Sequence, residues 1–240
     1  MMAPALADAF RAHGHVRLAG FHPAKRMAPV RRQVQDALSR LGINAGGGKP
    51  RRGGSALAGL TPFQQIARLS TLVKLPDLEE AIVTPELLPM MPGLARGPPS
   101  PAAAMQLLRP PPHQGEGPFE RLNWHVDVAA DPPDRLPGIQ VFVLIDDVAP
   151  GGGATLALAG SHREAAAGSK AQAPNLRMLL KTADDGLEAR LRERGLSILE
   201  MSGRAGDVFL MDMRLLHTPS VNTTKNVRMM ATARYFTRGR

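Results

Sequence analysis

Two histidines and one aspartate have the types and spacing of a metal site. His125 and Asp127 lie two positions apart in the strand-like stretch NWHVD. Residues i and i+2 of an extended chain project from the same face, so both side chains can hold one metal ion without distorting the backbone. His217, which ends the apolar run GDVFLMDMRLLH, is the candidate third ligand. Because the chain contains no Cys, any metal must be held by His, carboxylate or water oxygen.

Two His and one carboxylate form a facial triad that leaves three metal positions open, and such a triad is typical of non-haem Fe(II) oxygenases. Arg228 follows His217 by eleven positions in another strand-like run. A lone His can be an ordinary buried side chain, and a lone Arg a surface ion-pair residue. The four residues in this order and spacing favour the metal-binding interpretation.

The neighbouring residues Ser161 and His162 suggest a hydrolase dyad at first sight. Adjacent residues on a strand or turn point apart, however, and the sequence has no Gly-x-Ser-x-Gly elbow. We therefore expect a structural role for this Gly-Ser-His turn.

The second half of the chain predicts short strands separated by turn signals, with no regularly alternating helices. The runs are 105–109, 138–145, 154–158, 196–201, 207–213 and 227–236. This pattern predicts an antiparallel β architecture, best fitted by a double-stranded β-helix (a cupin-like jelly roll). We expect one domain over 1–240, mainly β, in which a mostly helical layer (1–100) packs on a jelly-roll core (101–240).

Amphipathic patterns and helix-starting prolines predict the helices. They are expected at Pro29–Leu41, Pro62–Leu72, Pro76–Val83, Pro85–Met91 and Leu187–Arg194, with a first strand near 15–21. The stretch AGGGKPRRGGS at 45–55 is a loop by composition, and residues 45–54 could close over a substrate as a lid.

Composition narrows the classes of protein. No stretch approaches the roughly 18 consecutive apolar residues of a membrane span, and the first residues lack a signal-peptide pattern, so a cytoplasmic protein is expected.

The formal net charge is +9, and residues 1–60 carry ten Lys or Arg against Asp8 and Asp36. A basic region can bind nucleic acid. Because no aromatic residues are interleaved with the basic ones, we expect a solvated surface instead.

The motifs WHVD, GIQVFVLIDDVAPGGGATLALAGSHR and GDVFLMDMRLLHTPSVNTTKNVR resemble the phytanoyl-CoA dioxygenase family of Fe(II)/2-oxoglutarate oxygenases. The resemblance covers roughly residues 105–236. It implies that His125, Asp127 and His217 bind Fe(II), and that Arg228 binds the distal carboxylate of 2-oxoglutarate, with dioxygen as the second co-substrate.

The resemblance also implies further co-substrate contacts. Family members often carry a small or hydroxyl residue two positions after the distal His, where this chain has Pro219. The assisting hydroxyl is therefore either Thr218 or Ser220, and the sequence leaves the choice open. Asn222 matches a recurrent Asn of the same loop. Gln140 shares one strand face with Phe142 and could face the co-substrate.

The implied function is oxidation of a small-molecule or acyl-linked substrate, with 2-oxoglutarate converted to succinate and carbon dioxide. Hydroxylation is the simplest outcome. Desaturation, epimerisation and ring formation stay open, whereas Asp127 argues against a halogenase. The alternative is a non-oxidative metal-binding jelly roll, isomerase-like or a ligand sensor, in which Arg228 would have no evident partner.

Overall fold

The structure is a computed structural model. It describes residues 4–41, 64, 68, 72, 73, 75, 77–95, 99–101, 106–108, 119–128, 130, 132, 134–166, 172–182, 184–225 and 228–237. The predicted helix from Pro62 lies almost entirely outside the described residues, and so does the 45–54 loop.

Helices and strands are interspersed along the described part of the chain. The helices are α1 (Pro4–His13), α2 (Ala24–Arg40), α3 (Leu78–Ile82), α4 (Met90–Ala95), α5 (Ser161–Ala166), α6 (Gln172–Lys181) and α7 (Leu187–Glu193), with a 3-10 turn at Phe119–Arg121. The strands are β1 (His15–Leu18), β2 (Pro99–Pro101), β3 (Gln106–Leu108), β4 (Gly138–Leu144), β5 (Thr155–Ala159), β6 (Ser197–Glu200), β7 (Val208–Asp212), β8 (His217–Pro219) and β9 (Met230–Thr237).

Nine strands form two antiparallel sheets in the described part of the chain. The larger sheet has the order β1-β7-β4-β9-β2, with β3 also paired to β9, and the smaller has the order β6-β5-β8. Strands distant in sequence therefore become neighbours: β4 lies between β7 and β9. This is the arrangement of a jelly roll, in which two facing sheets enclose an interior.

Strand β4 is buried on both faces, which explains its unbroken apolar sequence. Ile139, Val141 and Val143 belong to an outer core cluster that includes residues of α2. Phe142 and Leu144 belong to an inner cluster between the sheets. Because side chains alternate along a strand, one strand supplies both clusters, and the helical layer covers the outer face of the larger sheet.

Helix α2 begins five residues earlier than predicted. Pro29 was expected to start the helix but lies inside it, since α2 runs from Ala24 to Arg40. Proline removes one helical hydrogen bond. Burial of Met27, which is 1% exposed in the outer cluster, offsets this loss.

The helix predicted at Pro85–Met91 was also wrong. Residues 85–89 form turns, in which the amides of Leu87 and Leu88 donate to the carbonyl of Thr84. Helix α4 begins only at Met90, directly after Pro89. Proline is disfavoured inside a helix but acceptable beside its first turn, so Pro89 moves the start downstream.

Candidate active site

The candidate metal ligands come from two segments that the fold places side by side. His125 lies between the 3-10 turn and β4, and His217 begins β8. Their backbones exchange two hydrogen bonds of 2.9 Å each in an isolated antiparallel bridge, and their ring centroids lie 4.5 Å apart. Asp127 faces both rings: its Oδ1 lies 3.9 Å from Nε2 of His125 and its Oδ2 lies 3.8 Å from Nε2 of His217.

Backbone carbonyls orient both imidazole rings. Nδ1 of His125 lies 2.8 Å from the Asn123 carbonyl oxygen, and Nδ1 of His217 lies 3.0 Å from that of Leu215. A carbonyl only accepts, so Nδ1 carries the proton in each ring and Nε2 offers a lone pair toward Asp127. Burial lowers the pKa of His217, although the charge of Asp127 opposes this. At neutral pH this shift favours the neutral ring, which is the form that binds a metal.

The three side chains have the composition and proximity that a metal ion requires. One ligand atom from each of His125, Asp127 and His217 lies within 4.8 Å of the other two. Two imidazoles and one carboxylate suit Fe(II), and three ligands leave coordination positions open for other molecules.

Arg228 is a buried cation that lacks a carboxylate partner among the described residues. It is 2% exposed, and burial lowers its pKa to about 9. Nη1 lies 3.5 Å from the Thr155 hydroxyl, while Nε and Nη2 have no hydrogen-bond partner in the described part of the chain. An uncompensated buried charge is costly, so this guanidinium fits an anionic ligand such as the distal carboxylate of 2-oxoglutarate.

A third hydroxyl, besides the two that the sequence offered, lies beside Arg228. Thr218 is buried, and its Oγ1 donates to the carbonyl of Pro219 at 3.1 Å. The Oγ of Ser220 is buried and has no partner among the described residues. Pro219 pairs across the smaller sheet with Thr155. Thr155, on the strand that pairs with β8, thus brings its hydroxyl to Arg228, and the sequence analysis missed this residue.

Gln140 lies on the inner face of β4, two residues before Phe142. Its Nε2 donates to the Thr232 hydroxyl at 3.0 Å, and its buried Oε1 has no partner in the described part of the chain. Asn222 is fully buried, but its Oδ1 accepts from the backbone and the hydroxyl of Thr224. The structure thus shows Asn222 ordering the turn after β8.

Buried polar atoms without a partner concentrate in residues of this region. Five of the eight such atoms found among the described residues belong to Gln140, Ser220, Arg228 and Arg234. Native proteins seldom leave buried donors and acceptors unpaired, and a bound polar ligand is one reason for the exception.

Arg234 contacts the metal site directly. From the sequence it could equally have been a substrate contact or an exposed charge at the end of a strand. In the structure its Nη2 donates to Oδ2 of Asp127 at 3.0 Å. Arg234 lies on β9 two residues after Thr232, the partner of Gln140, and strand alternation places both side chains on the same, inward face. Arg228 lies two residues before β9 begins.

Ser161 and His162 are structural, as expected. The Ser161 hydroxyl accepts from the Leu216 amide at 2.9 Å, immediately before His217. His162 lies with Nε2 3.0 Å from the Arg11 carbonyl oxygen. Trp124 also has a structural place, because it is buried against Phe119 and a leucine cluster.

The fold and the site together define a class: jelly rolls with a His-x-Asp pair, a distal His and a buried Arg. The chain belongs to the phytanoyl-CoA dioxygenase family, because the family model described as "Phytanoyl-CoA dioxygenase (PhyH)" matches residues 82–230. Membership of this family makes the chain a non-haem Fe(II)/2-oxoglutarate-dependent dioxygenase, an oxidoreductase. No curated protein matches the sequence.

Solved structures share the fold. The α-ketoglutarate-dependent carbocyclase SnoK from nogalamycin biosynthesis is 18% identical with a TM-score of 0.63, over 98% of this chain and 84% of that one. EctD from S. alaskensis, solved with 2-oxoglutarate and 5-hydroxyectoine, is 18% identical with a TM-score of 0.61, over 98% and 76%. The epimerase SnoN, solved with Fe3+, α-ketoglutarate and a nogalamycin, is 18% identical with a TM-score of 0.56, over 97% and 82%.

These findings confirm the predicted fold class, family, enzyme class and cofactors: iron, 2-oxoglutarate and dioxygen. At these identities the structural likeness shows the fold alone. The residue roles at the site stay predictions, as does the single-domain boundary at 1–240. No helix in the described part of the chain is long and apolar enough to cross a membrane.

Proposed function

We propose that this enzyme oxidises a small-molecule or acyl-linked substrate, most simply by hydroxylation. Substrate, 2-oxoglutarate and dioxygen would yield hydroxylated product, succinate and carbon dioxide. One observation carries the proposal: the guanidinium of Arg228 is buried, and its Nε and Nη2 lack partners among the described residues, in a chain that also has a His-Asp-His cluster. A non-oxidative jelly roll would give Arg228 no anion to bind.

Each residue of the site has a proposed task. His125, Asp127 and His217 hold Fe(II) and leave three positions free. Arg228 receives the distal carboxylate of 2-oxoglutarate through two parallel hydrogen bonds. The Thr155 hydroxyl completes that contact, with Ser220, Thr218 and Asn222 as further candidates. Gln140 offers its free Oε1 to the interior. When bound, iron and 2-oxoglutarate supply the oxidising power, and the chain's residues bind and orient them.

Substrate choice belongs to loops rather than to the strands that carry these ligands. The relatives with solved structures include a carbocyclase and an epimerase. Ring formation and epimerisation are therefore alternative outcomes of the same site. We also propose a cytoplasmic location and no role in nucleic-acid binding. The last point is supported by ion pairs that engage two basic N-terminal residues, Arg17 with Asp207 and Arg31 with Asp146.

The decisive experiment is an anaerobic titration with Fe(II) and 2-oxoglutarate, following the weak visible metal-to-ligand charge-transfer band. We expect the band in the native protein and its loss in His217→Ala. His13→Ala is the matched control, because the exposed ring of His13, at the end of α1, lies beside His15 and does not belong to the cluster, and this variant should keep the band. Folded protein that binds metal but shows no band would contradict the oxygenase assignment.

A further inference from the structure

Asp127 has a single hydrogen-bond donor among the described residues, and it is a cation. Each histidine of the cluster is oriented by a backbone carbonyl two residues earlier. Asp127 is oriented instead by Arg234, whose Nη2 lies 3.0 Å from Oδ2. Arg234 is thus the one side chain, in the described part of the chain, that orients a candidate metal ligand.

The contact joins two parts of the fold that are 107 positions apart in the sequence. Asp127 lies in the segment before β4, while Arg234 lies on β9, opposite Gln140 of the larger sheet. The Asp127 side chain is 12% exposed and that of Arg234 is 28% exposed, so the pair is only partly open to solvent. An ion pair so placed holds its geometry better than a surface pair does.

The hydrogen bond occupies one of the two carboxylate oxygens. A carboxylate can bind a metal through one oxygen or through both. If the ion takes six ligands, two histidines, a carboxylate bound through one oxygen and a chelating keto acid would supply five, which would leave one position for dioxygen. A carboxylate bound through both oxygens would take that position.

We propose that Arg234 is a positioning residue that keeps Asp127 bound to the metal through one oxygen and so preserves the position for dioxygen. The inference rests on the proposed function. The charge of Arg234 also has an effect. A guanidinium beside Asp127 partly neutralises the carboxylate and repels the metal ion, which is a second cation. Arg234 therefore lowers metal affinity and maintains an open site.

A purely structural role for Arg234 predicts different results. If Arg234 only stabilised the segment around Asp127, its removal would weaken metal binding, as loss of an outer-shell partner typically does by about 10–100-fold. The positioning role predicts that Arg234→Met binds metal at least as tightly as the native protein. The positioning role also predicts that in this variant the metal no longer has a coordination position open to dioxygen.

The test uses nitric oxide as a probe for the dioxygen position. Native protein, Arg234→Met and Arg234→Lys are loaded anaerobically with Fe(II) and 2-oxoglutarate, and the charge-transfer band is recorded. Nitric oxide is then added, and the S = 3/2 resonance of its iron adduct is measured. We expect the charge-transfer band in all three, most of the nitric oxide signal lost in Arg234→Met, and the signal restored in Arg234→Lys. Arg17→Met, which removes the Arg17–Asp207 pair elsewhere on the same sheet, should behave as native protein.

The outcomes separate the two proposals. Absence of the charge-transfer band in native protein overturns the proposed function, and this inference with it. A band in native protein together with an undiminished nitric oxide signal in Arg234→Met overturns the role of Arg234 alone. Weaker binding of Fe(II) by a folded Arg234→Met, measured by equilibrium titration, also overturns it and indicates a purely structural contact.

Discussion

At the scale of single residues, the site combines two histidines that backbone carbonyls orient with a buried cation that has no carboxylate partner among the described residues. Arg228 is 2% exposed and retains two nitrogens without partners in the described part of the chain. A buried charge in this state destabilises the fold and favours binding of an anion. Stability and binding are therefore opposed at this position.

Arg228→Met should reveal that opposition. We expect the metal-free variant to be more stable by about 1–4 kcal/mol, because an apolar side chain replaces an uncompensated buried charge. Its affinity for 2-oxoglutarate should fall at least about 100-fold, since a desolvated charge pair is lost. Urea unfolding and the charge-transfer titration measure the two effects.

Arg214→Met is the matched control for the stability effect. Arg214 is also buried, but it is bonded to Asp212 through Nη2 at 2.6 Å. Its removal leaves a buried carboxylate without that partner and should destabilise the protein by about 3–5 kcal/mol. Equal effects of the two variants would contradict the assignment of Arg228 as an unpaired cation.

Thr155 provides a second prediction at this scale. Thr155→Val keeps the shape of the side chain but removes the hydroxyl 3.5 Å from Arg228. We expect affinity for 2-oxoglutarate to fall about tenfold, the effect of one hydrogen bond to a charged group. Thr218→Val, whose hydroxyl is engaged by the Pro219 carbonyl, should change it less. A larger loss in Thr218→Val or Ser220→Ala than in Thr155→Val would assign the hydroxyl to that residue instead.

At the scale of elements, the three-residue strand β8 depends on the turn after β5. Ser161 accepts a hydrogen bond from the Leu216 amide, and the Leu216 carbonyl accepts from the Leu158 amide at 2.8 Å. Both hydrogen bonds are made by the backbone of Leu216, the residue directly before His217. The Gly-Ser-His turn therefore influences the distal histidine through the backbone, without contacting the metal.

Ser161→Ala tests this dependence. The buried Leu216 amide would lose its acceptor, which should cost about 1–3 kcal/mol of unfolding free energy. Affinity for Co(II), a stable substitute for Fe(II), should fall about tenfold because the distal ligand loses its outer support. Ser197→Ala on the exposed edge strand β6 is the control and should change neither quantity. An unaltered cobalt affinity in Ser161→Ala would show that β8 holds His217 unaided.

Sequence patterns predicted some of these elements well and others poorly. The runs around β4, β7 and β9 are apolar because both strand faces are buried, so their position was evident. His125 and Asp127 were expected on one face of a strand; their ligand atoms do lie within 4.8 Å of each other, although the segment forms only an isolated bridge at His125 and no strand. Which strands pair is a tertiary property, and for that reason the hydroxyl of Thr155 beside Pro219 was missed. The start of α2 was wrong because packing of Met27 outweighed a local proline preference.

At the scale of the whole molecule, burial of histidines links stability to pH. Burial lowers the pKa of His15, His22 and His162, none of which belongs to the metal cluster. His22 is 3% exposed, with Nε2 2.8 Å from the Ile82 carbonyl oxygen. These rings stay neutral in the folded protein under conditions where the unfolded chain takes up protons.

The unfolding free energy of the metal-free protein should therefore decrease as pH falls below about 6.5. Above that pH both states leave these rings neutral and the effect vanishes. Each histidine contributes a slope of at most about 1.4 kcal/mol per pH unit. Urea unfolding between pH 7.5 and 5 measures it. His22→Gln, which retains a donor for the Ile82 carbonyl, should reduce the slope, and an unchanged slope would remove His22 from this account.

The bridge between His125 and His217 has a consequence for how quickly an ion enters and leaves. Their two reciprocal backbone hydrogen bonds connect positions 125 and 217 before any metal is present. The conformational entropy of bringing positions 125 and 217 together is therefore lost during folding, and it does not reduce the free energy of metal binding. Loading then requires only rotation of three side chains, a fast motion. Exchange of the metal should accordingly be limited by dehydration of the ion and not by opening of the chain.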